Sequence, residues 1–275
     1  MQAQILRPIF NCQRSVGPRA APPVAQPELF PAQLDFPDSK DLRESWWDVG
    51  FQEMTGSCVG WAVADSVLRW HFVKAGKISS NEHLSVRYVW MAAKETDIFT
   101  AQPTTFIESA FTKIEAGLKV VKVFGIVKED ILPFKPRCQS NSDTFLFKGD
   151  DNEFYSLASE LAITNYVNLR PDMEHLIDVN LLCRWLAHIG PIIVRMGADK
   201  ALVDASKETS SLAEYNAFES NEGHAAALAG YYKNQERLWF ILRNSWGTSW
   251  GDYGYAYLSE QYVRMAINEA WGIII

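Results

Sequence analysis

Cys58 lies where the apolar spacing predicts a helix to begin, and a thiol there has its pKa lowered by the unpaired N–H groups of the first turn. The small residues of Gly56-Ser57-Cys58-Val59-Gly60 leave room for a carbonyl to approach the sulfur and backbone closely. A thiolate adding to a carbonyl creates an oxyanion. The Cys58 backbone N–H and the side-chain amide of Gln52, on the loop leading into the helix, can supply two donors to it, each worth about 2.7 to 4 kcal/mol when well aimed. The base must come from elsewhere. Of the five histidines, His224 alone follows a glycine, Gly223, at the start of an apolar strand, and Asn244 at the end of the next strand can hold the second imidazole nitrogen. Taken one at a time these residues have plainer readings, since an isolated cysteine is most often an inert, buried thiol.

The elements that must position them follow from the pattern. Val59, Trp61, Ala62, Val63, Val67, Leu68, Trp70 and Phe72 recur at helical spacing, with Gly76 just beyond, so the helix behind Cys58 is long and largely buried. Residues 84–93 and 106–116 suggest further helices, the latter closed by Gly117. In the second half, residues 162–169, 191–196, 224–232, 238–243 and 253–258 read as strands, with one helix over 173–189. Residues 197–223 are polar and long enough to be a surface excursion. The start contains Pro8, Pro18, Pro22, Pro23, Pro27, Pro31 and Pro37, which favour an extended arm outside the core.

A chain of 275 residues with 48% hydrophobic content and a net charge of -7 is globular and lacks the basic footprint of nucleic-acid binding. Its longest apolar runs fall well short of the roughly 18 residues that span a membrane. The broken apolar start lacks a Sec-type signal core, so a cytoplasmic location, or export without such a signal, is expected. The four cysteines contain no CxxC and make a poor disulfide framework. Cys183 sits in an apolar run and reads as core, Cys138 and Cys12 as loop thiols, with Cys12 exposed and oxidisable if the arm is mobile. His71, His83, His175 and His188 have no partners at metal spacing, so neither metal nor cofactor is expected. Trp46, Trp47, Trp61, Trp70 and Trp90 read as core.

In order and spacing, Gln52, the Gly56-Ser57-Cys58 helix start, Gly223-His224-Ala225 and the block from Asn244-Ser245-Trp246-Gly247 through Ser249-Trp250-Gly251 to Tyr255 resemble the papain family of cysteine peptidases, and its bacterial branches in particular. The likeness covers roughly residues 36–275. It implies an α+β fold of two domains with the cleft between them: a helical left domain over 37–150 carrying Cys58, and an antiparallel, β-barrel-like right domain over 151–275 carrying His224 and Asn244. Residues 1–36 would form a Pro-rich arm, a possible inhibitory pro-segment. The resemblance further implies that Cys58 forms a thioester, His224 shuttles the proton, Asn244 orients His224 and Gln52 supports the oxyanion. Gly56, Ser57, Gly223, Trp246 and Trp250 would contact substrate, with Trp246 shielding the Asn244–His224 contact and Trp250 lining the leaving-group side. Residues around 265–271 would floor the pocket for the second substrate residue.

Departures from the family pattern stand beside the matches. Thr55 replaces a cysteine that secreted members pair in a disulfide, Val59 replaces the tryptophan after the nucleophile, and no substrate-contacting glycine pair is evident near residues 100–106. The expected partners are a peptide or protein substrate and the chain's own arm, with the protein a monomer. The expected activity is that of an endopeptidase; exopeptidase or amidohydrolase action on the same residues, and a silent binding protein on the same fold, are the competing readings.

Overall fold

One long helix, α1, begins at Cys58 and runs through Cys58–Gly60, the π-helical Trp61–Leu68 and Arg69–Lys74. Its residues are buried nearly all round, as the dense apolar set requires of a core helix. The computed structural model describes residues 12, 34–97, 103–134, 147–171 and 176–275; Cys138, His175 and the rest of the Pro-rich arm lie outside them. Packed on α1 are α2 (Val86–Thr96), whose first turn is capped by the Ser85 hydroxyl accepting from Tyr88 N–H, and α3 (Ile114–Val123). The helix expected over 106–116 is displaced: residues 106–113 form turns and loop, and Gly117 sits inside α3 rather than ending it. A Cβ at Gly117 would lie 3.2 Å from Val89 and 3.4 Å from Val59, so this glycine lets three helices approach closely, and tertiary packing overrides its low helix propensity.

A short strand β1 (Ser39–Asp41) precedes these helices; after them come α4 (Asp151–Ser159), β2 (Asn165–Asn168), α5 (Val179–His188), β3 (Ile192–Ala198), α6 (Lys200–Val203), β4 (Ser211–Leu212), β5 (Asn221–Asn234), β6 (Arg237–Arg243), β7 (Tyr255–Ser259), α7 (Glu260–Ala266) and β8 (Ile267–Ile274). The strands form one open sheet in the order β2-β8-β3-β5-β6-β7-β4, with β1 added beside β5. The expected barrel-like closure is thus corrected to an open sheet, antiparallel except where β4 pairs with β7. Residues 197–223 are also more than a surface excursion, because Leu202 and Leu212 are buried in the core. Six of these elements escaped the sequence reading altogether: β1, α4, α6, β4, α7 and β8.

Strand alternation divides the interior in two. Ile192, Val194, Ala226, Leu228 and Ala270 face one core, built with α5 and α7. Ile193, Ala225, Ala227, Trp271 and Ile273 face the other, shared with α1, α2, α3 and Ala158 of α4. The nucleophile helix therefore lies against the sheet face that carries Ala225, the neighbour of His224.

Candidate active site

The register of the sheet assembles the residues that were read from the sequence. His224 stands in β5 opposite Met196 of β3, and β6 ends with Arg243 opposite Ala227, so the next residue, Asn244, comes alongside His224. Its Oδ1 lies 2.7 Å from His224 Nε2. That contact commits Nε2 to Asn244 and leaves Nδ1 as the nitrogen to serve a thiol, a tautomer choice of the kind such partners impose. The Trp246 ring packs over the imidazole at 4.6 Å between centroids, and Trp250 meets the edge of Trp246 at 5.1 Å. Both tryptophans are buried, so water is kept from the His224–Asn244 contact.

Cys58, fully buried, is hydrogen-bonded by the backbone of Ala225, which places the sulfur beside the strand residue that follows His224. Ser57 stands at the N-cap of α1 but makes no side-chain cap; its hydroxyl is engaged 2.6 Å from Thr55 Oγ1. Thr55 thus occupies the family's cysteine position as a hydrogen-bonding residue, accepting from the Ser57 hydroxyl and donating to Gln52 O at 2.7 Å. Gln52 is clamped between the two halves: its backbone N–H donates to Ser245 O at 2.8 Å, its Nε2 donates to Thr55 O at 3.0 Å, and its Oε1 accepts from Ser245 Oγ at 2.7 Å. The loop that carries Gln52 is so held against the loop that carries Asn244, helped by Gly247 N–H on Gly50 O.

Gly56 serves the scaffold. Its N–H donates to Glu108 O, and a Cβ there would sit 2.7 Å from Ala110 O and 2.9 Å from Ser109 O. Backbone cannot yield cheaply at that separation, so Gly56→Ala is expected to lower the unfolding free energy by about 1 to 3 kcal/mol, read from urea denaturation.

Two residues that sequence reasoning did not assign to the site, Cys12 and Arg195, complete it together with Glu269 from the expected stretch 265–271. Cys12, expected to be exposed, is fully buried beside the nucleophile: its N–H donates to Gly223 O, and its carbonyl accepts from Arg195 Nε at 2.7 Å. The correction follows from this pairing, which carries the thiol into a closed chamber. Arg195 of β3 lies in register with Ala225 on one side and Glu269 of β8 on the other. Among residues 265–271, it is Glu269 whose charge reaches Cys12.

Enclosure sets the electrostatics. Burial pushes the Cys58 thiol up to about 11, against opposing contributions from the Ala225 and Val59 backbone and the Arg195 charge. Burial likewise pushes His224 down to about 4, only partly offset by Asn244. With Cys12 in place, thiol and imidazole are both neutral near pH 7, since desolvation disfavours each charged form. Burial, then the Cys58 and Glu269 charges, raise Cys12 as well, against Arg195. Among the described residues no group of three or more His, Cys, Asp or Glu side chains is placed to hold a metal, and no helix is long and apolar enough to cross a membrane.

Residues 36–271 match the family described as papain family cysteine protease. Peptidase 1 of Dermatophagoides pteronyssinus is 28% identical over 171 residues, 59% of this chain and 46% of that protein; the chain spans at most about half the length of the first curated relatives it matches. Among solved structures, xylellain, a cysteine protease from Xylella fastidiosa, is similar with a TM-score of 0.72 at 18% identity, over 98% of this chain and 97% of that one. proCathepsin B S9 of Trypanosoma congolense gives 0.69 at 14% identity, over 97% and 86%. At these identities the structural likeness speaks for the fold.

Proposed function

This chain belongs to the papain family of cysteine proteases, and from that premise we propose that it hydrolyses peptide bonds through a thioester on Cys58 and is kept latent by its own N-terminal arm. The observation that carries the chemistry is the 2.7 Å clamp of His224 Nε2 on Asn244 under the Trp246 ring, next to a helix-borne thiol hydrogen-bonded by Ala225. In the open site the proton passes from Cys58 to His224, forming a thiolate–imidazolium pair. The thiolate adds to the peptide carbonyl, and the Cys58 backbone N–H with Gln52 supports the oxyanion. The C–N bond then breaks, His224 gives its proton to the departing amine, and the acyl group remains on sulfur. Water adds next, its proton going to His224; the C–S bond breaks and the thiol is restored with a carboxylic acid product.

Latency is supported by Cys12, whose backbone occupies Gly223 O and Arg195 at the place where a peptide must lie. Gly223 is the substrate-contacting residue this reading relies on. Trp250, buried behind Trp246, backs the leaving-group side. Endopeptidase action is the default.

An epoxide directed at cysteine proteases, applied to protein lacking residues 1–33, is expected to label Cys58 and to lose the label in Cys58→Ala. A peptide library is expected to be cut at internal bonds. Cleavage confined to one terminus would replace the endopeptidase reading with an exopeptidase one, and a folded, unlabelled protein would leave only the binding function.

A further inference from the structure

The sheet face turned toward α1 is apolar at Ile193, Ala225, Ala227, Trp271 and Ile273, yet Arg195 and Glu269, paired in register, put two charges on it beside the nucleophile. A buried guanidinium on an apolar face is costly unless its donors are directed at acceptors. Here two of its nitrogens have distinct targets: Nη1 donates to Asn268 Oδ1 at 2.7 Å, which fixes the side chain from β8, and Nε donates to the carbonyl of Cys12 at 2.7 Å. Gly223 has no Cβ because the guanidinium takes its place: a Cβ there would be 2.1 Å from Arg195 Nη2 and 2.6 Å from Cys12 O. Glu269, in turn, accepts from Trp271 Nε1 at 3.1 Å.

Cys12 is thus gripped through its backbone, its N–H by Gly223 O and its C=O by Arg195, while its thiol meets the backbone of Ile114. Neither contact depends on which side chain the docked residue carries, and both are available to any extended peptide that replaces it. Resting on the hydrolase reading above, we propose that Arg195 is a substrate-positioning residue: its Nε–H takes the backbone carbonyl of the residue docked beside Cys58, while Gly223 O takes that residue's N–H. The device explains how a chain without an evident glycine pair on the opposite wall still fixes a peptide's backbone. It also makes Cys12 the stand-in for a substrate residue.

The test uses the full chain with Arg195→Met and Arg195→Lys. Lysine keeps a positive charge but lacks the Nε–H aimed along the fork. Iodoacetamide alkylation of Cys58, quantified by peptide mapping, is expected to speed up about tenfold in both variants, since losing one charge-assisted hydrogen bond of about 1.4 kcal/mol is a tenfold change in the closed population. In a Cys12→Pro background, where the arm no longer competes, the same substitutions are expected to raise KM for an unstructured peptide substrate about tenfold with kcat changed less than about twofold.

Wild-type alkylation and KM in both variants would overturn the proposal, as would full rescue by lysine, which would assign the effect to charge. A fall in kcat at constant KM would overturn it by placing Arg195 in the chemical step. Thermal melts identify a misfolded variant, and if methionine is not tolerated the lysine variant decides. Failure of the Cys12→Pro protein to cleave any peptide would refute the hydrolase reading, and the alkylation rates would still decide whether Arg195 grips a docked backbone.

Discussion

Full-length protein carrying Cys12→Pro is expected to be alkylated at Cys58 about 100-fold faster than wild type at pH 7. Proline has no N–H to give Gly223 O, and its ring would stand where that hydrogen bond is made. A carbonyl left without its donor in a closed chamber costs about 1 to 3 kcal/mol, and the steric clash adds to it. The closed state loses its population by that margin. Ionisation multiplies the effect of access. A thiol held near 11 has only about one molecule in 10⁴ as thiolate at pH 7, and each unit by which hydration lowers that value multiplies the reactive form tenfold. His224, held near 4 by burial, regains its proton when water returns, and the imidazolium then stabilises the thiolate further.

The sign of the pH dependence separates the two states. In wild type the neutral thiol is favoured by burial, so alkylation should climb about tenfold per pH unit up to near 11. In Cys12→Pro it should level off several units lower, because the ion pair exists over a window bounded below by the thiol and above by the imidazolium. A pH–rate profile of alkylation from pH 5 to 11 reads this directly. Superimposable profiles would show that Cys12 does not close the site.

What the sequence displays and what it hides divide along physical lines. Cys58, His224, Asn244 and Gln52 were legible because Cys58 opens α1, His224 lies near the start of β5, Asn244 directly follows β6 and Gln52 stands on the loop into α1, where the local pattern of small, apolar and polar residues marks a site. Arg195 was not, because it falls inside Pro191-Ile192-Ile193-Val194-Arg195-Met196, an ordinary strand pattern. Its meaning comes from register: Ala225 on one side and Glu269 on the other, a placement decided by the strand order β8-β3-β5 and by contacts tens of residues apart. Cys12 was read as exposed because nothing local records that its backbone pairs with Gly223, more than two hundred positions away. The strand β8 escaped for another reason: it follows α7 with no intervening turn, so the punctuation that separates elements is missing. Gly117 misled in the opposite sense, since a residue that usually ends helices here permits close helix packing.

Arg243→Met is expected to cost about 3 to 5 kcal/mol of unfolding free energy at pH 7, because it strands a buried carboxylate. Arg243 closes β6 immediately before Asn244 and is itself fully buried. Its Nη2 donates to Asp65 Oδ2 at 2.8 Å and its Nη1 to Ser66 Oγ at 2.5 Å, both on α1, while the guanidinium lies over the Trp47 ring at 4.9 Å. The pair therefore ties the strand end that presents Asn244 to the helix that presents Cys58. Arg69 Nη1 lies 3.8 Å from the other Asp65 oxygen, too far to replace the lost partner. Burial alone would raise the Asp65 carboxyl, but the Arg243 charge, the His83 hydrogen bond and the Arg69 charge together hold it below its ordinary 3.8. A carboxyl lowered on folding adds stability that is present above the unfolded value and lost as pH falls below it. The difference between wild type and Arg243→Met in urea denaturation should accordingly be full at pH 7 and shrink as the pH is taken below about 4. The double variant Asp65→Leu with Arg243→Met removes both charges and should recover much of the loss, since apolar replacement of a buried ion pair is often neutral. Its hydrolytic rate should nevertheless stay low, because Asn244 has lost the tether that aligns it with His224. Equal stability of the single variant and wild type at pH 7 would refute the argument that this pair holds the two halves of the site together.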